Sequence, residues 1–412
     1  MSLLPIEPPP PSLLDAIARV ARERFGAADL EGAALSRAIQ KVSEAYTRVH
    51  GTPAQVAGDR AALCARLKFF LPRDFPKLQA PLAELAAAGA FPAARELRVL
   101  DLGAGLGTSG LGAAAFAFAR GAARVRIEAV DRDAQALDIA AALAARWAAA
   151  EGWALAYDAR RAPLGRTLLT GRDGAYDLIV LGFVLNELAE EAVPTGSVEE
   201  RHHALLQQLA DELTDDGALI VLEPALRETS RALQRVRGRF AARPGPPHVF
   251  APCLHRGPCP LLERERDWCH EQLPLALPEA LQALARGAGL RTTELSYSYL
   301  TLTRAERSLA ELDPERRGYR VVSGALPSKG KLELLVCGAG PERRLQRLDR
   351  ARSADNAALD GARRGTIVHL PTPESEPSAL VRVGAQTRIG LLQQFVEEPR
   401  TQRAHCDKSS RG

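Results

Sequence analysis

The chain has 412 residues, more than one ordinary domain holds. Its 46% hydrophobic and 25% charged residues are those of a globular protein and exclude a disordered chain, a collagen or a coiled coil. The net charge is only +4, so the placement of charge matters more than its sum; arginine far outnumbers lysine, a skew that GC-rich coding explains without any function.

No stretch approaches the 18 apolar residues of a membrane span, and the opening MSLLPIEPPPP has neither a basic nor an apolar leader region. A soluble protein in a reducing, bacterial-type cytoplasm is expected, without membrane partners and as a monomer. In such a compartment the six cysteines suit metal or cluster ligation better than disulfides.

In chain order, the run Pro8 to Pro11 reads as an extended lead-in. Leu13, Leu14, Ile17, Val20 and Ala21, then Leu35, Ile39, Val42 and Ala45, repeat at helical spacing, while Pro72, Pro76 and Pro81 interrupt the second half of this segment. These features predict an N-terminal helical domain over 1–90. Strands are predicted at 97–102, 125–130, 176–181 and 218–222, with helices near 108–120, 133–150, 197–213 and 227–242. Such alternation indicates an α/β fold with a parallel, Rossmann-like sheet over 91–340. A Pro-, His- and Cys-rich insertion occupies 244–275. Leu295 to Leu302 reads as a further strand, and 319–323 with 332–337 as a closing antiparallel hairpin. Residues 341–412 form a basic extension, expected to hold an Arg-rich helix, a small β unit near 365–390 and a disordered end.

The segment Asp101-Leu-Gly103-Ala-Gly105-Leu-Gly107 comes after a predicted strand and opens a predicted helix. Glycines let backbone turn sharply and approach a ligand, and the helix N-terminus offers free N–H groups. Asp131 ends the next strand, where a carboxylate can accept both hydroxyls of a ribose. Together they point to a nucleoside-containing ligand. Gly105-Leu-Gly107-Thr-Ser-Gly110 also fits a dinucleotide pattern. The acid two residues before Gly103, however, resembles motif I of class I S-adenosylmethionine-dependent methyltransferases. That resemblance implies donor contacts at Asp101, Gly103, Gly105, Gly107 and Asp131. It further implies contacts at Asp158, read as the end of the third strand, and at Gly182, Phe183 and Asn186. Neither an Asn-Pro-Pro-Tyr signature nor a cysteine nucleophile stands after the 176–181 strand, so no catalytic residue is assigned.

Cys253, Cys259 and Cys269 lie within seventeen residues of a Pro/Gly-rich stretch. Thiolates are soft ligands suited to iron–sulfur clusters and to zinc. Cys337, ending the last predicted strand, is the best fourth ligand, with His255 and His270 as alternatives. The spacing does not choose between the two metals. Cys64 reads as core and Cys406 as free. Arg231, Arg235, Arg239 and Arg243 form a stripe, with Arg237 beside it, and Arg343, Arg344, Arg347, Arg350 and Arg352 cluster after Cys337. Both groups would make a phosphate-binding face.

Over roughly 12–340 the chain resembles the methyltransferase-like small-ribosomal-subunit proteins, which comprise the mitochondrial small-subunit assembly factor and its bacterial relatives. The resemblance is carried by Leu100 to Ser109, Leu185-Asn-Glu-Leu188, Leu222-Glu-Pro224, Val249 to Cys269 and Leu295 to Leu300. It implies a 4Fe-4S cluster on Cys253, Cys259, Cys269 and Cys337. It also implies S-adenosylmethionine as cofactor, and the small ribosomal subunit and its rRNA as partners. A non-catalytic assembly factor using the fold as a platform is the first alternative. A zinc-stapled NAD-dependent enzyme is the second.

Overall fold

The computed structural model describes residues 2–47, 59–163, 176–188, 196–275, 277–291, 293–338, 342–370 and 380–397. The predicted Cys406 lies outside them. No helix among the described residues is long and apolar enough to cross a membrane.

The chain opens with strand β1 (Ser2–Ile6) and helices α1 (Pro11–Phe25) and α2 (Gly32–Thr47). Pro11 starts α1, where its missing N–H costs nothing. Helix α3 (Arg60–Ala65) is capped by Asp59, which accepts from the Ala61 N–H. It continues through a π turn (Arg66–Phe70) into α4 (Leu71–Asp74), a 3-10 turn holding Pro76, and α5 (Gln79–Ala87). The expected prolines thus divide a helical passage into short pieces. These helices have no core of their own: Leu13, Ile17, Leu67 and Phe75 join one cluster with Leu111, Ile127 and Trp147 of the sheet and its helices.

The first sheet contains β2 (Glu96–Leu102), β3 (Arg124–Asp131), β4 (Leu155–Arg161), β5 (Tyr176–Gly182), β6 (Leu213–Pro224), β7 (His248–Ala251), β8 (Glu271–Pro274) and β9 (Glu294–Thr303). Its order is β4-β3-β2-β5-β6-β9-β7, with β8 also on β9. Strands β2 to β6 are parallel, and β9 is antiparallel to β6. Helices α6 (Thr108–Ala119), α7 (Ala134–Glu151), α8 (Leu185–Leu188), α9 (Val198–Asp211), α10 (Arg227–Ala241) and α11 (Glu279–Gly287) accompany it. Val99 faces one core and Leu100 the other, as expected of a strand covered on both sides. The chain runs outward on one side of β2 and on the other side of β5. The crevice at their carboxyl ends is therefore the topological switch point where such folds bind ligands. An antiparallel strand inserted beside the last parallel one is the class I methyltransferase arrangement, and it departs from the sheet of dinucleotide enzymes.

The closing antiparallel element is not the 319–337 hairpin. Strand β9 takes that position, flanked by β7 and β8. Residues 318–337 instead join a second sheet: β10 (Gly318–Val321), β11 (Leu326–Ser328), β12 (Lys331–Cys337), β13 (Arg343–Leu348), β14 (Ile367–His369), β15 (Leu380–Val383) and β16 (Gly390–Glu397). The order is β1-β16-β14-β10-β12-β13-β15, so residues from both ends of the chain pair directly. The expected Arg-rich helix is strand β13. Its alternation sends Arg343, Leu345 and Arg347 inward, and Arg347 donates to Asn356 and Asp360.

Candidate functional site

The glycine loop leaves β2 stitched to the end of β3. The N–H groups of Gly103 and Ala104 donate to the Val130 carbonyl, and that of Gly105 to Asp131 Oδ2 at 2.8 Å. Gly103, Gly105 and Gly107 all have positive φ. At Gly103 the fit is also tight, since a Cβ would stand 2.3 Å from Val184. Asp131 spends its second oxygen on the Asp133 N–H at 2.7 Å, which fixes the carboxylate at the cleft mouth.

A cleft of about 390 Å³ opens here. Gly103, Gly105, Asp131, Gly182, Phe183 and Asn186 all line it, so the structure brings six of the nine expected donor contacts to one place. Asp101, beneath the loop, and Gly107, within it, do not line the cleft. Asp101 accepts from the Gly110 N–H at 2.8 Å, tying strand to helix. Burial pushes its carboxyl up to about 7, against the Gly110 hydrogen bond and with help from the charge of Asp131. Asp158 is elsewhere. It sits mid-strand in β4, pairs with Arg126 at 2.9 Å and is 58% exposed. Strand β4 ends at Arg161, beyond the point the sequence suggested.

Phe183 adopts φ +64°, a conformation that costs a non-glycine residue energy, and it sits where β5 turns toward α8. Its N–H donates to the Leu222 carbonyl, and the next turn is held by Leu185 N–H on buried Glu223. Asn186 Oδ1 is buried with no hydrogen-bond partner. That orphaned acceptor suits a ligand N–H or O–H.

Sequence reasoning missed the opposite wall. Arg66, Phe70, Arg73, Asp74 and Lys77 reach the cleft from the π turn and the short helices after it. Lys77 is buried, 3.0 Å from Asp74 and 4.4 Å from the Phe183 ring centroid. Burial lowers its ammonium to about 8, with Asp74 opposing. One signal was available: Phe69-Phe-Leu-Pro-Arg-Asp-Phe-Pro-Lys77 is dense in rings and charges within a chain only 5% aromatic.

The cysteines gather on the other side of β9. Cys253, Cys259 and Cys269 line one small cavity with Arg237 and His270. Cys337 Sγ, at the end of β12, is 3.5 Å from His255 Nε2. Burial raises the Cys259 thiol to about 11, with Cys253 adding to it. Burial also raises Cys269 well above the usual range, reinforced by Cys253, Cys259, Glu271 and Cys337. Cys337 is raised likewise, by burial and then by Cys253 and Cys259. All four sulfurs therefore lie within electrostatic reach of one another. Among the described residues, however, no three His, Cys, Asp or Glu side chains are placed to hold a metal ion. The expected metal-binding insertion is thus not formed at ion-ligating distances. Cys64 is buried, as expected of core.

The arginine stripe divides into buried and exposed members. Arg231 is buried and donates to the carbonyls of Leu261, Leu262, Arg264 and Asp267. Arg237 is buried and holds the carbonyls of His255 and Gly257. These two side chains shape the cysteine loop. Arg235 and Arg239 pair with Glu199 and Glu200 of α9, and Arg243 bonds Gln207. Arg235, Arg239 and Arg243 nonetheless stay at the surface. In the second cluster Arg343 lies over Tyr319, Arg344 reaches Glu333 at 3.9 Å, and Arg352 pairs with Asp360.

Residues 61–364 match the family model described as Mitochondrial small ribosomal subunit Rsm22. No curated protein sequence matches the chain. Three solved structures illustrate the structural likeness. A Listeria monocytogenes protein, described as a class I S-adenosylmethionine-dependent methyltransferase, is 12% identical with TM-score 0.37, over 72% of this chain and 87% of its own. The plantazolicin methyltransferase BamL is 12% identical with TM-score 0.34, over 65% and 98%. An O-methyltransferase from Bacillus cereus is 13% identical with TM-score 0.31, over 68% and 99%. With scores this low, the fold rests on strand order and not on these likenesses.

Proposed function

The chain belongs to this family, and from that premise we propose an S-adenosylmethionine-binding, methyltransferase-like protein of the small ribosomal subunit or its rRNA. One observation carries the reading. The glycine loop and Asp131 meet at the switch point of the first sheet, on a cleft large enough for a nucleoside ligand. Asp131 would receive the ribose hydroxyls. Asn186 and Phe183 would position the acceptor group near the donor, supplying proximity and orientation. Calorimetry with S-adenosylhomocysteine tests the cleft. Binding by the whole chain and its loss in Gly103→Val are expected; normal binding by that variant refutes the assignment. Methyl transfer from labelled donor to small-subunit rRNA tests catalysis.

The same reading gives the four cysteines a 4Fe-4S cluster. Around one zinc ion the sulfurs would stand about 3.8 Å apart, given Zn–S bonds of about 2.3 Å. The choice of a cluster over zinc rests on the family resemblance of these four cysteines, three of which share one cavity while Cys337 lies beside His255. When bound, such a centre supplies the positive charge that ionises the thiols, and it cross-links the insertion to β12. Arg231 and Arg237 hold the loop in place for it. Iron and sulfide in protein purified without oxygen, both lost in Cys259→Ser, are the expected result. Unchanged iron in that variant rejects the site.

A non-catalytic assembly role is favoured by one observation. Arg73 and Lys77 at the cleft are tied up on the shared carboxylate of Asp74, and among the described residues no cysteine lines the cleft to act as a nucleophile. Donor binding without single-turnover methyl transfer is its signature.

A further inference from the structure

We infer that Arg66 receives the carboxylate of the methyl donor, an assignment that rests on the donor reading of the cleft. The N-terminal helices send three cations to the cleft: Arg66, Arg73 and Lys77. Arg73 forks onto both oxygens of Asp74, at 2.8 and 3.1 Å, and lies over Phe69 and Phe70. Lys77 holds the same carboxylate and covers Phe183. Arg66 is not committed in this way. Its carboxylate neighbour, Asp133, is 3.7 Å away, beyond hydrogen-bond distance. Asp133 caps α7 through Oδ1, accepting from the N–H groups of Gln135 and Ala136, and turns Oδ2 to Arg66 as a loose ion-pair partner.

The guanidinium is nonetheless fixed against the glycine loop. A Cβ added to Gly105 would stand 3.0 Å from Arg66 Nη2, and the side chain is only 23% exposed. The π turn that begins at Arg66 places it there. Such turns widen a helix by one residue and recur where a side chain must be aimed at a ligand.

The donor's chemistry supplies a partner that can come within hydrogen-bond distance. S-adenosylmethionine carries a single carboxylate, at its amino-acid end. A planar guanidinium binds a carboxylate through two parallel N–H···O bonds, which an ammonium cannot match. Asp131 and Asp133 make the cleft mouth acidic, and Arg66 and Arg132 are the cations that line the cleft beside them; of the two, Arg66 is the one held against the glycine loop. The N-terminal helices would then complete the donor site rather than merely cover it.

The test compares two ligands on the full chain by calorimetry. S-adenosylhomocysteine carries the carboxylate, and 5′-methylthioadenosine lacks it. Arg66→Ala is expected to weaken S-adenosylhomocysteine about 10- to 100-fold, the worth of charged hydrogen bonds. Methylthioadenosine affinity is expected to stay unchanged, and Arg66→Lys to fall between. Equal loss of both ligands makes Arg66 a structural prop and overturns the inference, as does unchanged S-adenosylhomocysteine affinity. If the unsubstituted chain binds neither ligand, the donor reading itself fails, a result distinct from the other two.

Discussion

The donor cleft and the cysteine junction lie on the same sheet but are built in opposite ways. The cleft floor comes from one short stretch, Gly103 to Ser109, and from Asp131 at the end of the neighbouring strand. Its bonds are local and mostly backbone. The junction gathers β7, β8, α10 and β12, and at its base are charges from still further apart. Arg320 of β10 pairs at 2.8 Å with both Glu84 of α5 and Glu271 of β8, and it donates to the Tyr299 hydroxyl at 3.0 Å. Gln393 of β16 completes this group on Glu84. The cleft thus has a floor built by one sheet and a far wall lent by the N-terminal helices. The junction ties both sheets and the N-terminal helices together.

That contrast can be broken by substitutions of graded size. Arg320→Ala leaves two carboxylates buried without their cation, and a loss of about 3–5 kcal/mol in urea unfolding is expected. A loss under about 1 kcal/mol, as for an exposed pair, would mean that the junction is not held by charge.

The cleft should answer to pH instead. The Asp101 carboxyl has its folded pKa raised from 3.8 to about 7, so the folded state holds the proton more tightly than the unfolded chain. Its contribution to stability is complete below about 4 and is lost as pH rises to about 7. Asp101→Asn keeps an acceptor for the Gly110 N–H and removes the cost of burying a charge. Its advantage over the natural chain should grow by about 2–4 kcal/mol across that window. Unfolding midpoints that run parallel from pH 4 to 8 would contradict this.

The smallest effect is expected at Arg235→Ala. Its pair with Glu199 is largely solvated, so stability should change by less than about 1 kcal/mol. Affinity for small-subunit rRNA should also hold, because Glu199 of α9 already pairs with Arg235. A marked loss of RNA binding would restore the phosphate-face expectation.

The alternation of apolar strands with helices, the loop from Gly103 to Gly107 and Asp131 could be read directly, because each depends on neighbours in the chain or on the next strand. The helical period of Arg231, Arg235 and Arg239 was also visible, but the side chain's target was not. Whether an arginine meets water, a carbonyl or a glutamate depends on which element packs opposite, and here that is α9 or the cysteine loop. The position of Asp158 was misjudged because the end of a parallel strand is set by pairing with β3, not by composition. Arg343 and Arg347 alternate inward from a strand that their sequence did not separate from a helix. The sequence by itself thus determined the local backbone and the ligand-binding turn. Only the tertiary structure decided which distant elements share a core, that both chain ends enter one sheet, and that Arg66 and Lys77 face the glycine loop. Those contacts depend on burial among elements far apart in the chain, and no local period encodes them.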